Sequence, residues 1–430
     1  MRRELLIQTT IRGKILFFKI KTGLESLLIR KFIPVFFLLS FPIVILSSTQ
    51  YHPSIIKKSY NQFLITTSHS PKEITSGYLF IDDLRGNIKI IKSTLDQINV
   101  NQTITIFGKT EPEMINLIKR SSVTITEIND NGKYQLHLTE SKSVASNIST
   151  QYIIEIPDNF YISIQSEFGS ITVTELSGQF KLNTENGDIF LENISGGIDL
   201  STKVGNITVN NSFGKVTSHT DFGTITLSNI VGSIDSQTEK GNIMLNSVAG
   251  HSISAASDSG DIEIDSLRGA LYVSTEWGDI RTLNIKGSID LFTSNGDIFM
   301  KNISGDTIAW TDAGNINGLN LNGAIESWTY AGDIDLRKNW DRKRTDHHIK
   351  LNSATGDIHL TVPENFPANF DIYTYTPEFH PSHAILSYFP LYITADESSS
   401  TGVGFINHED NNVLIEANYG HTALLINKLY

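Results

Sequence analysis

Phe292, Trp310 and Trp328 stand 18 residues apart. Aromatic faces repeated at a fixed step can stack sugar rings or anchor an apolar partner. The competing account is a satellite core, in which the charged insertion 337–350 folds Trp340 over the three rings. Other groups with chemical potential are weaker. A column of Asp and Asn, including Asp188, Asn206, Asp261, Asp279, Asp297 and Asp333, has the acidity calcium wants. Calcium-binding nonapeptide rolls, however, carry two glycines and an aspartate per repeat. Here there is one glycine per nine residues and Asn or Thr often replaces Asp, so corner capping explains the column better. Glu263 with Asp265, and Asp235 with Glu239, are the carboxylate pairs a glycoside-cleaving site would need, about 5–9 Å apart. They read equally well as solvent-facing charge. His347 and His348 lie in the charged insertion and are weak metal candidates. No glycine-rich segment precedes a helix, which a phosphate-binding loop requires. The expectation is therefore no catalytic residue, no metal and no cofactor, with Phe292, Trp310 and Trp328 as the ligand-binding candidates.

The elements that would position these rings follow from the glycines. Glycine recurs every nine residues from Gly169 to Gly250, shifts phase by one residue, and recurs every nine from Gly260 to Gly332, with Gly356 after a short insertion. Alternate glycines differ in context, so the unit is 18 residues. One half reads GDI, GNI, GSI or GTI; the other is looser, as in GGIDLST and GSIDLFT. Each glycine suits a sharp corner, and the Asp or Asn beside it can bond that corner's own amides. Aliphatic residues follow at the second and fourth positions, as in Ile189 with Leu191 and Ile262 with Ile264, which is the alternation of a strand with one buried face. A Thr column (Thr184, Thr202, Thr220, Thr238, Thr275, Thr293, Thr311, Thr329, with Ser257 at the phase shift) predicts coils in direct register, their hydroxyls bonding across strands. All 11 prolines lie outside residues 158–362, as continuous strand pairing demands. The predicted fold is all-β: a single-stranded β-solenoid of about 18 residues per coil, on the order of 50 Å long at ~4.8 Å per coil.

Composition narrows the function. The 430 residues include no Cys, which excludes a disulfide scaffold, thiolate metal sites and a Cys nucleophile. A net charge of −12 argues against nucleic acid as a partner. The first 31 residues run against the trend, with eight basic and two acidic groups. The uncharged stretch 32–50 (FIPVFFLLSFPIVILSSTQ) follows directly. It is long enough for one membrane span, a signal-anchor, when its polar end sits at the interface. The basic flank predicts a cytoplasmic N-terminus and an extracytoplasmic C-terminal domain. A cleaved signal peptide and an organelle presequence are the alternatives; the long charged region disfavours the first, and Glu4 and Glu25 the second.

The expected organisation is a basic cytoplasmic N-terminus (1–31), transmembrane segment (32–50), tether (51–71), β-rich N-terminal cap with a short helix near 113–120 (72–160), β-solenoid (161–360) and C-terminal cap (361–430), in which NNVLIEANYGHTALLI forms a last coil. Of the sequons at Asn101, Asn147, Asn193, Asn206, Asn210 and Asn302, three (ENIS, GNIT, KNIS) arise from the repeat itself.

The run IPDNFYISIQSEFGSITVTELSGQFKLNTENGDIFLENISGGIDLST resembles the putative-adhesin β-strand repeat family, a domain of unknown function, over roughly residues 150–430. The GDI/GNI phrases, Ile156–Pro157 and the LTVPENF phrase after Gly356 carry the likeness. The resemblance implies a right-handed, single-stranded β-helix and no established catalytic residues. The expected function is a membrane-anchored, surface-exposed, non-catalytic binding or scaffolding module with a glycan or surface protein as partner. The alternative is a carbohydrate-active β-helix enzyme, a polysaccharide lyase or hydrolase.

Overall fold

The computed structural model describes residues 5–11, 14–20, 54–59, 61–69, 76–82, 84–94, 98–107, 109–120, 123–130, 133–140, 148–375, 384–407, 411–419 and 422–427. Segment 32–50 lies outside the described residues; among those described, no helix is long and apolar enough to cross a membrane. Within the basic N-terminus, Leu5–Ile11 and Lys14–Ile20 pair as an antiparallel ribbon separate from the main sheet.

The main body is a β-solenoid of about 10 turns of ~18 residues. Each strand pairs in parallel with the strand one coil on: Phe160–Phe168 with Ser177–Asn186, then Ser195–Val204, and so on in unbroken register. The inserted residue in the glycine series is absorbed as a bulge between Ala249 and Ser252. Inward residues such as Ile207, Val209, Ile225 and Leu227 are fully buried and stack along the axis. At roughly 25 cal/mol per Å² of apolar surface, these columns are the main stabilising term.

Each coil has three corners, one more than the glycine series predicts. The third is a left-handed residue six after the GDI glycine. Asn193, Asn211, Asn229, Ser247, Ser266, Asn284, Asn302 and Asn320 all have φ between 52° and 60° or so, with Asn320 at 61°. Asn tolerates this region because its short polar side chain bonds locally. A third buried column follows it, including Ile194, Ile230, Leu267, Ile285, Ile303 and Leu321.

Three inter-coil contacts explain the repeat grammar, and one differs from expectation. A Cβ on a corner glycine would lie against the carbonyl oxygen of the glycine one coil earlier, 2.0 Å away for Gly205 and Gly214. Close backbone approach therefore requires glycine even where φ does not. The Asp/Asn oxygens do not bond their own corner; they accept the N–H of the equivalent residue one coil on, as Asp279 Oδ1 does from Asp297 N at 2.8 Å. The Thr hydroxyls bond across coils as expected, their acceptor being the glycine carbonyl 15 residues earlier, as in Thr202 to Gly187 at 3.0 Å. In both cases the stacking of corners leaves backbone groups that need a partner, and the nearest short side chain supplies it.

The ends are closed by antiparallel strands. Gly77–Asp82 and Asn87–Lys92 form a coil directly beneath residues 160–174, with Gly86 in the corner position. Lys133–Glu140 and Ile148–Ile156 add a further parallel layer, on which Val123–Asp130 and Ile98–Ile106 lie antiparallel. Helix α1 (Glu111–Arg120) packs Met114 and Ile118 against Phe63, Ile65, Ile104 and Ile106. Its start is a capping box in which Thr110 N donates to Glu113 Oε2 at 2.9 Å, holding that carboxyl below its usual range. At the other end Asn412–Asn418 and Thr422–Asn427 form a coil on Ile349–Thr355 and Ile358–Pro363; Ala368–Tyr375 and Ile385–Ser387 pair in parallel on its far side, and Ser399–Ile406 lies antiparallel on the first of these.

Candidate functional site

On the face that follows the looser glycines, side chains alternate inward and outward. Thr293 and Thr311 point in and are buried; Phe292, Trp310 and Trp328 point out. The sheet register places Phe292 beside Trp310 and Trp310 beside Trp328, so the three rings sit on consecutive coils. Tyr272, one coil earlier and two residues offset, extends the row: its ring is 5.6 Å from Phe292, and Phe292 is 6.4 Å from Trp310, both pairs tilted. Trp310 is 50% exposed and Tyr272 46%. Lys350 Nζ lies 5.7 Å from the Trp328 ring.

The insertion does not cover these rings. Trp340 packs edge-on against Phe366, with Arg342 over its face. Asn339 N donates to Leu321 O at 2.7 Å and Arg344 pairs with Asp306 at 2.6 Å, which ties the insertion to other corners of the coil. Two grooves are left on the aromatic face. One of about 430 Å³ is lined by Asp258, Glu276, Phe292 and Trp310; one of about 450 Å³ by Trp310, Asp312, Trp328 and Tyr330. Asp290, beside Tyr272 in the register, has its carboxyl raised by partial burial.

Most of the other candidates are engaged elsewhere; Asp235 accepts from Gln237 Nε2 at 3.4 Å, within its own strand and not beside Glu239. Glu263 faces Arg281 at 3.8 Å, and Asp265 accepts from Asn284 Nδ2 at 2.8 Å. His347 is buried, its Nε2 against Asp341 O at 3.0 Å, and burial lowers its pKa. For His348, burial acts downward but its hydrogen bonds to the Asp346 and Glu326 carboxylates outweigh it and raise the pKa. Among the described residues, no three His, Asp or Glu side chains converge as metal ligands.

Sequence reasoning missed Lys338. It pairs with Leu321 in the register, so an amine occupies a position of the third buried column. Its Nζ donates to Gly323 O. Burial, reinforced by the Arg344 charge, lowers its pKa to about 7. The signal is an interruption in a column that is itself invisible until the third corner is known.

The Toastrack DUF4097 family matches over residues 78–317 and again over 233–424. The chain belongs to that family. The Toastrack match, in a domain family of unknown function, begins well before the region of about 150 where the phrase-level resemblance starts, because the coil at 77–92 already follows the grammar. Among solved structures, a putative cell adhesion protein from Clostridium sporogenes ATCC 15579 is 7% identical, covering 88% of this Toastrack chain and 100% of its own, with a TM-score of 0.19. A putative adhesin from Bacteroides fragilis NCTC 9343 is 16% identical, covering 64% of this chain and 97% of its own, with a TM-score of 0.23. No curated protein sequence matches significantly.

Proposed function

We propose that this chain is a membrane-anchored, surface-exposed β-solenoid that binds and scaffolds without catalysis, with Phe292, Trp310 and Trp328 as its ligand-contact strip. One observation carries the reading. The Thr, Asp/Asn and glycine columns are consumed by inter-coil bonding, whereas the aromatic row is left open beside two grooves. The anchor rests on the uncharged 32–50 stretch and its basic flank, which orient the C-terminal domain outward. The partner is a glycan or a surface protein; the acidic body disfavours nucleic acid.

Two measurements test this. Protease added to intact cells should digest the C-terminal domain; protection would place the rod in the cytosol and end the adhesive reading. A broad display of glycans and surface proteins should reveal ligands whose binding falls with Trp310→Ala and Trp328→Ala while the fold persists by circular dichroism. Binding untouched by both substitutions would remove the strip from the proposal.

A further inference from the structure

Around Phe292 and Trp310 the outward charge is of one sign; the cation of the strip, Lys350, lies at its far end over Trp328. On the four coils that carry Asp258, Glu276, Asp290 and Asp312, the outward residues of this face are Ser, Ala, Asp, Tyr, Glu, Phe, Ile and Trp, with no Lys, Arg or His. No described residue forms a hydrogen bond or ion pair with any of these four carboxylates. They stand on both sides of the aromatic row: Asp290 two residues before Phe292, Asp258 and Glu276 in the groove beside it, and Asp312 in the groove between Trp310 and Trp328. Ring faces attract cations by their quadrupole, and unpaired carboxylates in a groove focus the same field.

The backbone limits what can dock. The strip lies in the middle of the face, where every strand is paired with a coil above and below. A peptide adding as a strand needs a free sheet edge, which is absent here. An amphipathic helix needs an apolar groove, and these grooves carry carboxylates. A polysaccharide needs neither. Its rings offer flat apolar faces in a linear series, and the protein offers a linear series of partners: Tyr272, Phe292 and Trp310 at 5.6 and 6.4 Å steps, with Trp328 next in the register.

Resting on the binding role proposed above, we infer that the strip takes a polysaccharide containing unacetylated amino sugars. Its ring faces stack on Phe292, Trp310 and Trp328, and its ammonium groups lie against Asp258, Glu276, Asp290 and Asp312. Acetylation of the amine removes the charge and lengthens the substituent, so the neutral polymer is discriminated against.

The test is direct binding of glucosamine oligomers to the full chain in mild detergent at pH 6, against N-acetylglucosamine oligomers of equal length and against oligolysine. The expected result is at least about tenfold tighter binding of the free-amine oligomer than of the acetylated one. The Asp258→Asn, Glu276→Gln, Asp312→Asn triple variant should erase that preference, and Trp310→Ala should weaken both sugars while Trp310→Phe restores most of the loss. Equal or tighter binding of the acetylated oligomer, still lost in Trp310→Ala, overturns the inference and leaves a neutral-glycan strip. Binding of oligolysine alone overturns it in favour of a basic protein partner. Binding of none of the three overturns it too, and the broad display described above then decides whether the strip binds anything.

Discussion

Thr311 Oγ1 donates to the carbonyl oxygen of Gly296, 3.0 Å away and 15 residues earlier in the chain. The same link joins Thr202 to Gly187, Thr220 to Gly205 and Thr293 to Gly278. One hydroxyl per coil thus satisfies the corner carbonyl that the tight turn leaves without a strand partner. Thr311→Val keeps the shape and removes the donor. The expected loss is about 1–2 kcal/mol, the cost of a buried acceptor left unpaired. Because coil arrays can unfold locally, hydrogen exchange at Gly296 and its neighbours is the measurement. Unchanged protection there would show that the carbonyl finds another donor.

Gly196 combines two demands: its φ is +132°, and an added Cβ would meet Gly178 O at 1.7 Å. Gly196→Ala must push two coils apart, so a loss above about 3 kcal/mol is expected. Limited proteolysis should then cut near residues 178–196 in the variant and not in the wild type. An Ala variant that melts normally would mean the corner can slide.

Asn302 has φ of 57°, its Nδ2 donates to Asn284 Oδ1 at 2.8 Å, and its Oδ1 accepts from Asn320 at 2.9 Å. Asn302→Gly keeps the backbone freedom and loses the ladder; Asn302→Val loses both. The Val variant should be less stable than the Gly variant by roughly 1–2 kcal/mol in thermal melts. Equal melting points would show that the ladder, and not the left-handed backbone, sets the stability of this corner.

Lys338 gives a pH dependence with a definite sign. Its pKa is lowered from 10.5 in the unfolded chain to about 7 in the fold, so between those values the unfolded chain binds more proton. Stability must therefore rise with pH across that window, and the penalty of a buried charge is fully present below pH 7. His347, lowered from 6.5 by burial, adds a rise in the same direction just below 6.5. Lys338→Leu restores the aliphatic column. It should stabilise by roughly 2–4 kcal/mol at pH 6, with little gain at pH 10. Denaturant curves at both pH values check this; equal gains at both would assign the effect to packing alone.

The coil, its register and the outward row of rings are all legible in the amino-acid order, because glycine, Thr and the aliphatic pairs recur at one step. What is hidden follows from distance and from context. Gly86, Asn87 and Ile88 spell a GNI corner, but the intervening 93–159 segment breaks the count before Gly169. Asn193 and Asn302 read as sequons, although their period of 18 marks a left-handed corner. The partners of the Thr and Asp/Asn side chains depend on which backbone groups the stacking leaves open, and that requires three dimensions. Trp340 reads as a cover for the aromatic row, yet Phe366 from the C-terminal cap, remote in sequence, draws it to another side.

The antiparallel strands Val123–Asp130 and Ser399–Ile406 have a consequence for assembly. A stack of parallel coils with bare ends would recruit its own kind indefinitely, each copy templating the next into a fibre. Here Val123–Asp130 and Ser399–Ile406 reverse the hydrogen-bonding direction over a face at each terminus, so a second molecule's parallel coil does not meet there the ladder it would continue. The rod is consequently a ruler of fixed length, and its reach is set by how many 18-residue units its gene encodes.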